Sequence, residues 1–248
     1  MSTSDESQHD TPGTQAAAAE LKRQAAAAAL DLVAATLERD SIVGIGTGST
    51  ANAFIDVLAT HKGRFDACVA SSDASAERLR SHGLTVLELT AVESIQVYVD
   101  GADEVDPNLN LIKGGGGALT REKLVAASSD DFICIADDRK LVPQLGAFPL
   151  PLEFLSQARR LVSRAAVELG GTPSLREGFT TDNGHPIMDV EGLDITDPGK
   201  LEAHLNQVLG VVCTGIFSVH RPSRVVVAGT AGVRILDGSQ PIAEHRPA

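Results

Sequence analysis

The sequence predicts an α/β protein in which a parallel β-sheet, covered by helices on both faces, is interrupted by a smaller α+β domain. Three observations carry this prediction. Short and almost continuously apolar segments alternate with helical segments from Ser41 onward, as in buried parallel sheets. Residues 150–220 instead follow the order β-α-β-β-α-β, which is the split βαβ pattern. Residues 224–228 again have the character of a buried strand, so the smaller domain is predicted to be an insertion.

The α/β domain is predicted to comprise residues 15–149 and 221–248. It begins with an alanine-rich segment, residues 15–37, which we expect to be a helix because alanine is the strongest helix former. The acidic and polar residues 1–14 are expected to form a disordered tail. The predicted strands are 41–45, 65–70, 85–88, 95–99, 132–136 and 224–228, and the further helices are 50–60, 75–81, 120–127 and 139–145.

The inserted domain, residues 150–220, is predicted to place its helices between its strands. The predicted strands are 150–154, 173–180, 185–190 and 211–219, and the sequence TDNG joins the middle pair. The predicted helices are 157–169 and 197–209, the second of which is capped by Gly210.

The charge of the chain excludes several classes of partner. Its 248 residues include 21 Lys and Arg against 33 Asp and Glu, a formal net charge of −12. This charge argues against binding to nucleic acid or to an anionic membrane surface.

No apolar run reaches the roughly 18 residues of a membrane span, and the start of the chain lacks the features of a signal peptide, so we expect a cytoplasmic protein. Cys68, Cys134 and Cys213 are odd in number and widely spaced, and we interpret them as structural.

A glycine-rich turn, GIGTGST, follows the first predicted strand. Glycines let the backbone approach a ligand closely, and the start of the next helix presents free N–H groups to an anion such as phosphate. A tight turn followed by Ser and Thr helix caps explains the same residues equally well. The candidate binding residues here are Thr47, Gly48, Ser49 and Thr50.

Two aspartates follow the strand at 95–99 in the sequence DGADEVD. Because ligands bind beyond the carboxyl ends of parallel strands, Asp100 and Asp103 are placed to bind sugar hydroxyls or to move protons between them. The spacing lacks the glycine and the distal glutamate of an EF-hand loop. Glu104 and Asp106 are expected to lie in a solvated turn.

Lys113 precedes four consecutive glycines, and Glu122 falls in the first turn of the helix that follows. A flexible loop is one interpretation of the glycines, and a favourable interaction with the helix dipole is one interpretation of Glu122. Together, however, a lysine, a loop rich in N–H groups and a carboxylate are what is needed to remove a proton beside a carbonyl and to hold the resulting oxyanion.

Further on, Lys140 follows the strand at 132–136 and could reach an anion at the same edge of the sheet. A charged helix start explains the presence of this lysine as well.

The segments GIGTGST, SSDAS, DGADE, KGGGGALTREK and ICIADDRK, in this order, closely resemble those of the type A ribose-5-phosphate isomerase family. The similarity extends from about residue 21 to residue 236 and includes LPLEF, TDNG and VVVAGTAGV. It implies a Rossmann-like α/β domain with an inserted ferredoxin-like α+β domain, no metal or organic cofactor, and a homodimer or tetramer.

The resemblance further implies the interconversion of ribose 5-phosphate and ribulose 5-phosphate in the pentose phosphate pathway. Glu122 matches the general base that moves the proton through an enediolate, and Asp100 and Asp103 match the acids that contact the sugar hydroxyls. Lys113 matches the cation that stabilises the oxyanion. The remaining matches are substrate-binding positions, namely the turn Thr47, Gly48, Ser49 and Thr50, the backbone of Gly101, Ala102, Gly114, Gly115 and Gly116, and the phosphate-binding residues Lys140 and Lys22.

Two other functions fit parts of the pattern. Related sugar-phosphate deaminases and CoA-transferases have a similar α/β scaffold, but the complete KGGGGALTREK segment argues against both. A sugar-phosphate sensor that regulates transcription would need a DNA-binding module, which a short acidic tail cannot supply. His185 and His220 are expected to lie in turns or loops and to be structural.

Overall fold

The computed structural model describes residues 12–238. The helices are α1 (Pro12–Ala34), α2 (Ser49–Leu58), α3 (Asp73–Ser81), α4 (Leu119–Ala127), α5 (Arg159–Glu168) and α6 (Pro198–Leu205). The strands are β1 (Ile42–Ile45), β2 (Ala67–Ala70), β3 (Val86–Leu87), β4 (Val97–Gly101), β5 (Glu104–Val105), β6 (Leu111–Ile112), β7 (Phe132–Asp137), β8 (Leu150–Phe154), β9 (Thr172–Leu175), β10 (Ile187–Glu191), β11 (Val211–Thr214), β12 (Ile216–Phe217), β13 (Arg224–Gly229) and β14 (Gly232–Leu236).

A seven-stranded sheet with the order β14-β13-β7-β4-β1-β2-β3 forms the centre of the larger unit. All its pairings are parallel except that of β13 with β14. The predicted α/β class is therefore confirmed. Since β1, β4 and β7 are neighbours, the polar segments that follow them meet at one edge of the sheet.

Alternate residues of the central strands pack into two different cores. In β4, Val97 and Val99 pack with residues of α1, α2 and α3, whereas Tyr98 packs on the opposite face with residues of α4. Burial on both faces is the reason why these strands are almost continuously apolar in the sequence. Alanines such as Ala25 and Ala29 are fully buried and allow α1 to lie close to the sheet.

The smaller unit contains a four-stranded sheet with the order β11-β8-β10-β9 and antiparallel pairing throughout. Its core includes Leu152, Phe154, Val162 and Leu205, which come from β8, α5 and α6. This is the split βαβ arrangement that was expected for residues 150–220. The division of the chain at those residues stays a prediction, because β12 pairs with β6 in a separate three-stranded sheet.

Two predicted elements were wrong. The segment 139–145 is not a helix, since only a 3-10 turn over Asp138–Lys140 forms and Leu141 is already extended. Pro143 disfavours a helical conformation of the residue before it, and the Val142 N–H pairs with Val105 instead. The segment 211–219 is not one strand, because Gly215 separates β11 from β12 and the chain passes there from one sheet to another.

The ends of the described chain also differ from expectation. Helix α1 begins at Pro12, so residues 12–14 are helical and do not belong to a tail. The rest of the predicted tail, residues 1–11, lies outside the described residues. Among residues 12–238, no helix combines the length and the apolar character needed to cross a membrane.

Candidate active site

A cavity of about 300 Å³ lies at the carboxyl ends of β1, β4 and β7. With the exception of Asp100, every residue predicted for the site lines this cavity. Its walls are formed by Lys22, Thr47, Gly48, Ser49, Thr50, Gly101, Ala102, Asp103, Lys113, Gly114, Gly115, Gly116, Glu122, Asp137, Arg139 and Lys140.

Asp100 lies beneath the cavity and is fully buried. Its Oδ1 accepts hydrogen bonds from the backbone N–H groups of Gly101 (2.7 Å) and Thr47 (3.1 Å). Its Oδ2 accepts from the Tyr98 hydroxyl (2.5 Å) and lies 2.6 Å from Lys113 Nζ. Both oxygens of the Asp100 carboxylate therefore have partners, so Asp100 can hold the β1 turn and Lys113 in place.

Gly46 explains how the β1 turn can pass so close to this carboxylate. A Cβ atom at Gly46 would lie 1.8 Å from Asp100 Cγ and Oδ1, well inside contact distance. Only glycine fits at this position, so the spacing of the glycines in GIGTGST reflects packing against Asp100 as well as any approach to a ligand.

Lys113 is held by two short contacts behind the glycine loop. Its Nζ donates to the carbonyl oxygen of Gly101 (2.6 Å) and pairs with Asp100. Burial by itself lowers the pKa of this ammonium, but the charges of Asp100 and Glu122 outweigh that effect and the pKa is raised. Lys113 is therefore a cation. Since an ammonium has three N–H groups, one remains for the cavity side.

Glu122 lies in the first turn of α4 and is only 3% exposed. Its Oε2 is 3.4 Å from Lys113 Nζ and has no hydrogen-bonding partner among the described residues. Burial raises the pKa of this carboxyl to about 8, Lys113 opposes the rise, and the charges of Asp100 and Asp103 add to it. An acid placed there only to favour the helix dipole would not need to be buried and unbonded. These properties suit a general base.

The glycine loop, residues 114–117, turns sharply beside these groups. Gly114 (φ +102°) and Gly117 (φ +82°) adopt backbone conformations that disfavour other residues. The N–H group of Gly115 donates to Asp103 Oδ2 (2.8 Å). This bond places Asp103 on the cavity wall, whereas Asp100 lies below it.

Positive groups surround the start of α2, where Gly48 is the N-cap and no side chain caps the helix. Lys22 of α1 reaches this turn and donates to Ser49 Oγ (2.8 Å). The 3-10 turn after β7 brings Lys140 to the same cavity. Free N–H groups at a helix start and nearby ammonium groups are what an anion such as phosphate requires.

Some residues around the cavity were not predicted. Asp137 and Arg139 line it as an ion pair (2.9 Å), and although burial opposes the change, the hydrogen bond from Arg139 lowers the pKa of Asp137. Ser71 and Ser75, from the SSDAS segment, support the β1 turn through Thr47 Oγ1 (2.8 Å) and the Gly46 carbonyl (2.7 Å).

The prediction of a solvated turn at Glu104 and Asp106 was wrong, because both carboxylates are buried. Glu104 accepts from the N–H groups of Gly146 (2.7 Å) and Phe148 (2.5 Å). Asp106 accepts from the backbone and side chain of Asn110 (2.8 Å each). Both therefore organise loops away from the cavity. Within residues 12–238, no group of three or more His, Cys, Asp or Glu side chains is placed to hold a metal ion.

The sequence and the fold are similar to those of known proteins. Residues 67–232 match the family Ribose 5-phosphate isomerase A (phosphoriboisomerase A). Ribose 5 phosphate isomerase A from Neisseria gonorrhoeae is 41% identical, with a TM-score of 0.86 over 90% of this chain and 98% of that chain. A D-ribose-5-phosphate isomerase in complex with phospho-erythronic acid is 37% identical, with a TM-score of 0.82 over 88% and 98%. Ribose 5-phosphate isomerase A from Methanocaldococcus jannaschii is 33% identical, with a TM-score of 0.81 over 88% and 98%.

Proposed function

The chain belongs to the ribose 5-phosphate isomerase A family, whose members are aldose–ketose isomerases, and on this premise we propose that it interconverts D-ribose 5-phosphate and D-ribulose 5-phosphate by Glu122-mediated proton transfer through an enediolate. The observation that carries the mechanism is the Glu122 carboxylate, whose Oε2 is buried on the cavity wall without a hydrogen-bonding partner among the described residues. A base in this state is free to take a proton from carbon. Its raised pKa also increases its basicity.

Glu122 removes the proton from C2 of the open-chain aldose, and the electrons of that bond form a C1–C2 double bond as the carbonyl oxygen at C1 becomes negative. A proton then passes from the C2 hydroxyl to the C1 oxygen. Finally, Glu122 returns its proton to C1 as the carbonyl forms at C2. No group outside the protein and the sugar is consumed.

Lys113 and the glycine loop are placed to stabilise the negative oxygen. Asp100 and Gly101 engage two of the Lys113 N–H groups, which leaves a third, and the ammonium lies 3.4 Å from Glu122 Oε2. A cation fixed in this way does not need to reorganise when negative charge develops, which is the main source of electrostatic catalysis. The role of Asp100 is then to fix Lys113. Asp103, on the cavity wall, is the aspartate that contacts the sugar hydroxyls and assists ring opening.

The phosphate group would bind at the start of α2. Lys22, Lys140 and the hydroxyl groups of Ser49 and Thr50 line that part of the cavity. Binding energy from a phosphate remote from the reacting carbons orients the sugar over Glu122. This arrangement also reconciles an anionic substrate with a chain whose net charge is −12, because four cationic side chains line the cavity, those of Lys22, Lys113, Arg139 and Lys140.

We also propose that the chain acts as a homodimer or tetramer. Leu209 (79% exposed) and Val219 (68% exposed) are large apolar side chains without cover in the single chain. Light scattering of the purified protein measures the assembly directly. A monomer at working concentration would contradict this part of the proposal.

The reaction is tested by incubating the purified protein with ribose 5-phosphate in D₂O that contains EDTA. We expect ribulose 5-phosphate to form and to carry solvent deuterium at C1, since the enediolate mechanism passes the proton through a carboxyl group that exchanges with water. NMR of the product measures both. Absence of ribulose 5-phosphate would contradict the activity. Turnover with the C2 hydrogen fully retained at C1 would contradict the exchange of the transferred proton with water.

A further inference from the structure

Arg176 reaches from the smaller unit to the back of the glycine loop. It follows β9 directly, and its Nη1 donates to the carbonyl oxygens of Gly114 (3.1 Å) and Gly115 (3.2 Å). The other side of the guanidinium is fixed by Asp189, which accepts from Nε (2.8 Å) and Nη2 (2.5 Å). Arg176 does not line the cavity itself.

These two bonds, together with the bond from the Gly117 N–H to the Gly114 carbonyl oxygen (2.9 Å), hold the peptides of the loop in one orientation. In a trans peptide the C=O and the N–H that follows it point in opposite directions. With the Gly114 carbonyl turned toward Arg176, the Gly115 N–H points to the other side, where it donates to Asp103. The Gly116 N–H belongs to the next peptide, whose carbonyl is also held by Arg176. In the described part of the chain this N–H has no acceptor, and Gly116 lines the cavity.

A second contact from the same segment holds the end of the loop. The ring of Phe179 packs so closely on Gly117 that a Cβ there would lie 2.1 Å from Phe179 Cζ. Arg176 lies over the same ring, 5.4 Å from its centre. Without such contacts, consecutive glycines have more backbone freedom than any other residues. The smaller unit therefore restricts the glycine loop further than its own Gly117-to-Gly114 backbone bond does.

We propose that Arg176 is a positioning residue that orients the Gly116 N–H toward the oxyanion of the reaction intermediate. Asp189 holds the guanidinium group of Arg176 in the required orientation. This inference rests on the proposed isomerase function. A planar guanidinium group can bind the Asp189 carboxylate on one side and two carbonyl oxygens on the other. A lysine ammonium lacks this geometry and is therefore not an equivalent residue. Because Arg176 does not line the cavity and reaches it only through the backbone of the glycine loop, we expect it to affect the intermediate through Gly116 and not phosphate binding.

The proposal is tested with Arg176→Ala, Arg176→Lys and Asp189→Asn, and with Arg164→Ala as the matched control. Arg164 is an exposed arginine of the same unit and also pairs with an acidic residue, Glu168. For Arg176→Ala we expect kcat to fall about 10- to 100-fold, which is less than the loss on removing an oxyanion donor outright. The KM for ribose 5-phosphate should stay close to that of the wild type. Arg176→Lys and Asp189→Asn should lose part of kcat, and Arg164→Ala none.

Three further measurements separate positioning from general structural support. Affinity for phospho-erythronic acid, whose carboxylate resembles the enediolate in charge, should fall with kcat. Added ethylguanidinium should restore part of the kcat of Arg176→Ala. The pH midpoint of kcat/KM should not move, since the pKa of Glu122 is set by burial, Lys113, Asp100 and Asp103.

Other results would overturn the proposal. One is a wild-type kcat in Arg176→Ala. A second is an equal loss of kcat in Arg164→Ala. A third is a loss of kcat that is fully explained by a lower melting temperature of the variant. If Arg176→Ala does not fold, Arg176→Lys and Asp189→Asn decide the question by the same criteria. Failure of the wild-type protein to form ribulose 5-phosphate would instead refute the proposed function, on which this inference depends.

Discussion

Glu122 Oε2 lies 3.4 Å from Lys113 Nζ, yet it has no hydrogen-bonding partner among the described residues, whereas the same ammonium is bound at 2.6 Å by both Asp100 and Gly101. The pair is therefore asymmetric. Asp100 and Gly101 fix Lys113, and Glu122 forms only a longer ion pair with it, without a hydrogen bond to Oε2. One group is held where negative charge would develop, and the other is available to take a proton.

Glu122→Gln should abolish turnover and leave substrate binding largely intact. The substitution keeps the size of the side chain and removes its ability to take a proton. A positioned general base contributes about 10²- to 10⁴-fold, so we expect kcat to fall by at least this much. Steady-state kinetics gives kcat, and calorimetric titration of the variant with ribose 5-phosphate gives its substrate affinity. Glu168→Gln, at an exposed helix position, is the control. A wild-type kcat in Glu122→Gln would refute the assignment of Glu122 as the base.

The pH profile should report the raised pKa of Glu122. Because the base must be ionised, kcat/KM should increase with pH and level off above about 8. The negative charge of Asp103 raises this pKa and the positive charge of Lys113 lowers it. Asp103→Asn should therefore move the midpoint to lower pH and Lys113→Met to higher pH, whatever each does to the maximal rate. Equal midpoints in all three proteins would show that Glu122 does not control the profile.

Much of the fold was predictable from the sequence, because strands buried on both faces are apolar at almost every position. The segments that became β1, β4, β7 and β13 have this property. Strand β14 was not predicted because it forms the edge of the sheet and most of its residues are exposed. Strands β5 and β6 are two residues each, too short for any periodicity.

The candidate site was predictable where its parts are close in the sequence. Lys113, the glycines and Glu122 come from one segment, so their chemistry could be considered together. Arg176 could not be found in this way, since it reaches the glycine loop only after the smaller unit has folded. Nor does the sequence distinguish Asp100 from Asp103, because their different positions depend on the contacts that Asp100 makes with Tyr98 and Lys113.

The stability of Glu122→Gln relative to the wild type should depend on pH. In the folded protein the raised pKa keeps Glu122 protonated up to about 8, whereas in the unfolded chain it ionises near its ordinary value of 4.5. The stabilising contribution of the proton is therefore complete below about pH 4.5 and is lost as the pH rises through 8. Glutamine cannot ionise, so its melting-temperature advantage should grow from pH 5 to pH 8 and then stay level. Each kcal/mol corresponds to about 2–4 °C for a chain of this size. A constant difference across this range would contradict the raised pKa.

Lys140→Ala should raise KM more than it lowers kcat. Hydrogen bonds to charged groups contribute about 1.5–3 kcal/mol, so KM should rise about 10- to 100-fold if Lys140 binds the phosphate. Lys22→Ala should change KM in the same direction. Lys200→Ala is the control, because that ammonium is 87% exposed and pairs with Asp197. Unchanged KM in Lys140→Ala would show that the phosphate binds elsewhere.

Gly46→Ala should inactivate the protein without touching any group that reacts. The new methyl group would lie 1.8 Å from the Asp100 carboxylate, so the carboxylate or the β1 turn must move. Either movement disturbs the contact that fixes Lys113, and overpacking of this kind costs about 1–3 kcal/mol of stability. We expect kcat to fall and the melting temperature to decrease together. Gly199→Ala is the control, since its methyl group would make an ordinary 3.5 Å contact with Ser218 Oγ. Full activity in Gly46→Ala would mean that the position of Asp100 does not matter for Lys113, and that the asymmetry between Lys113 and Glu122 has another origin.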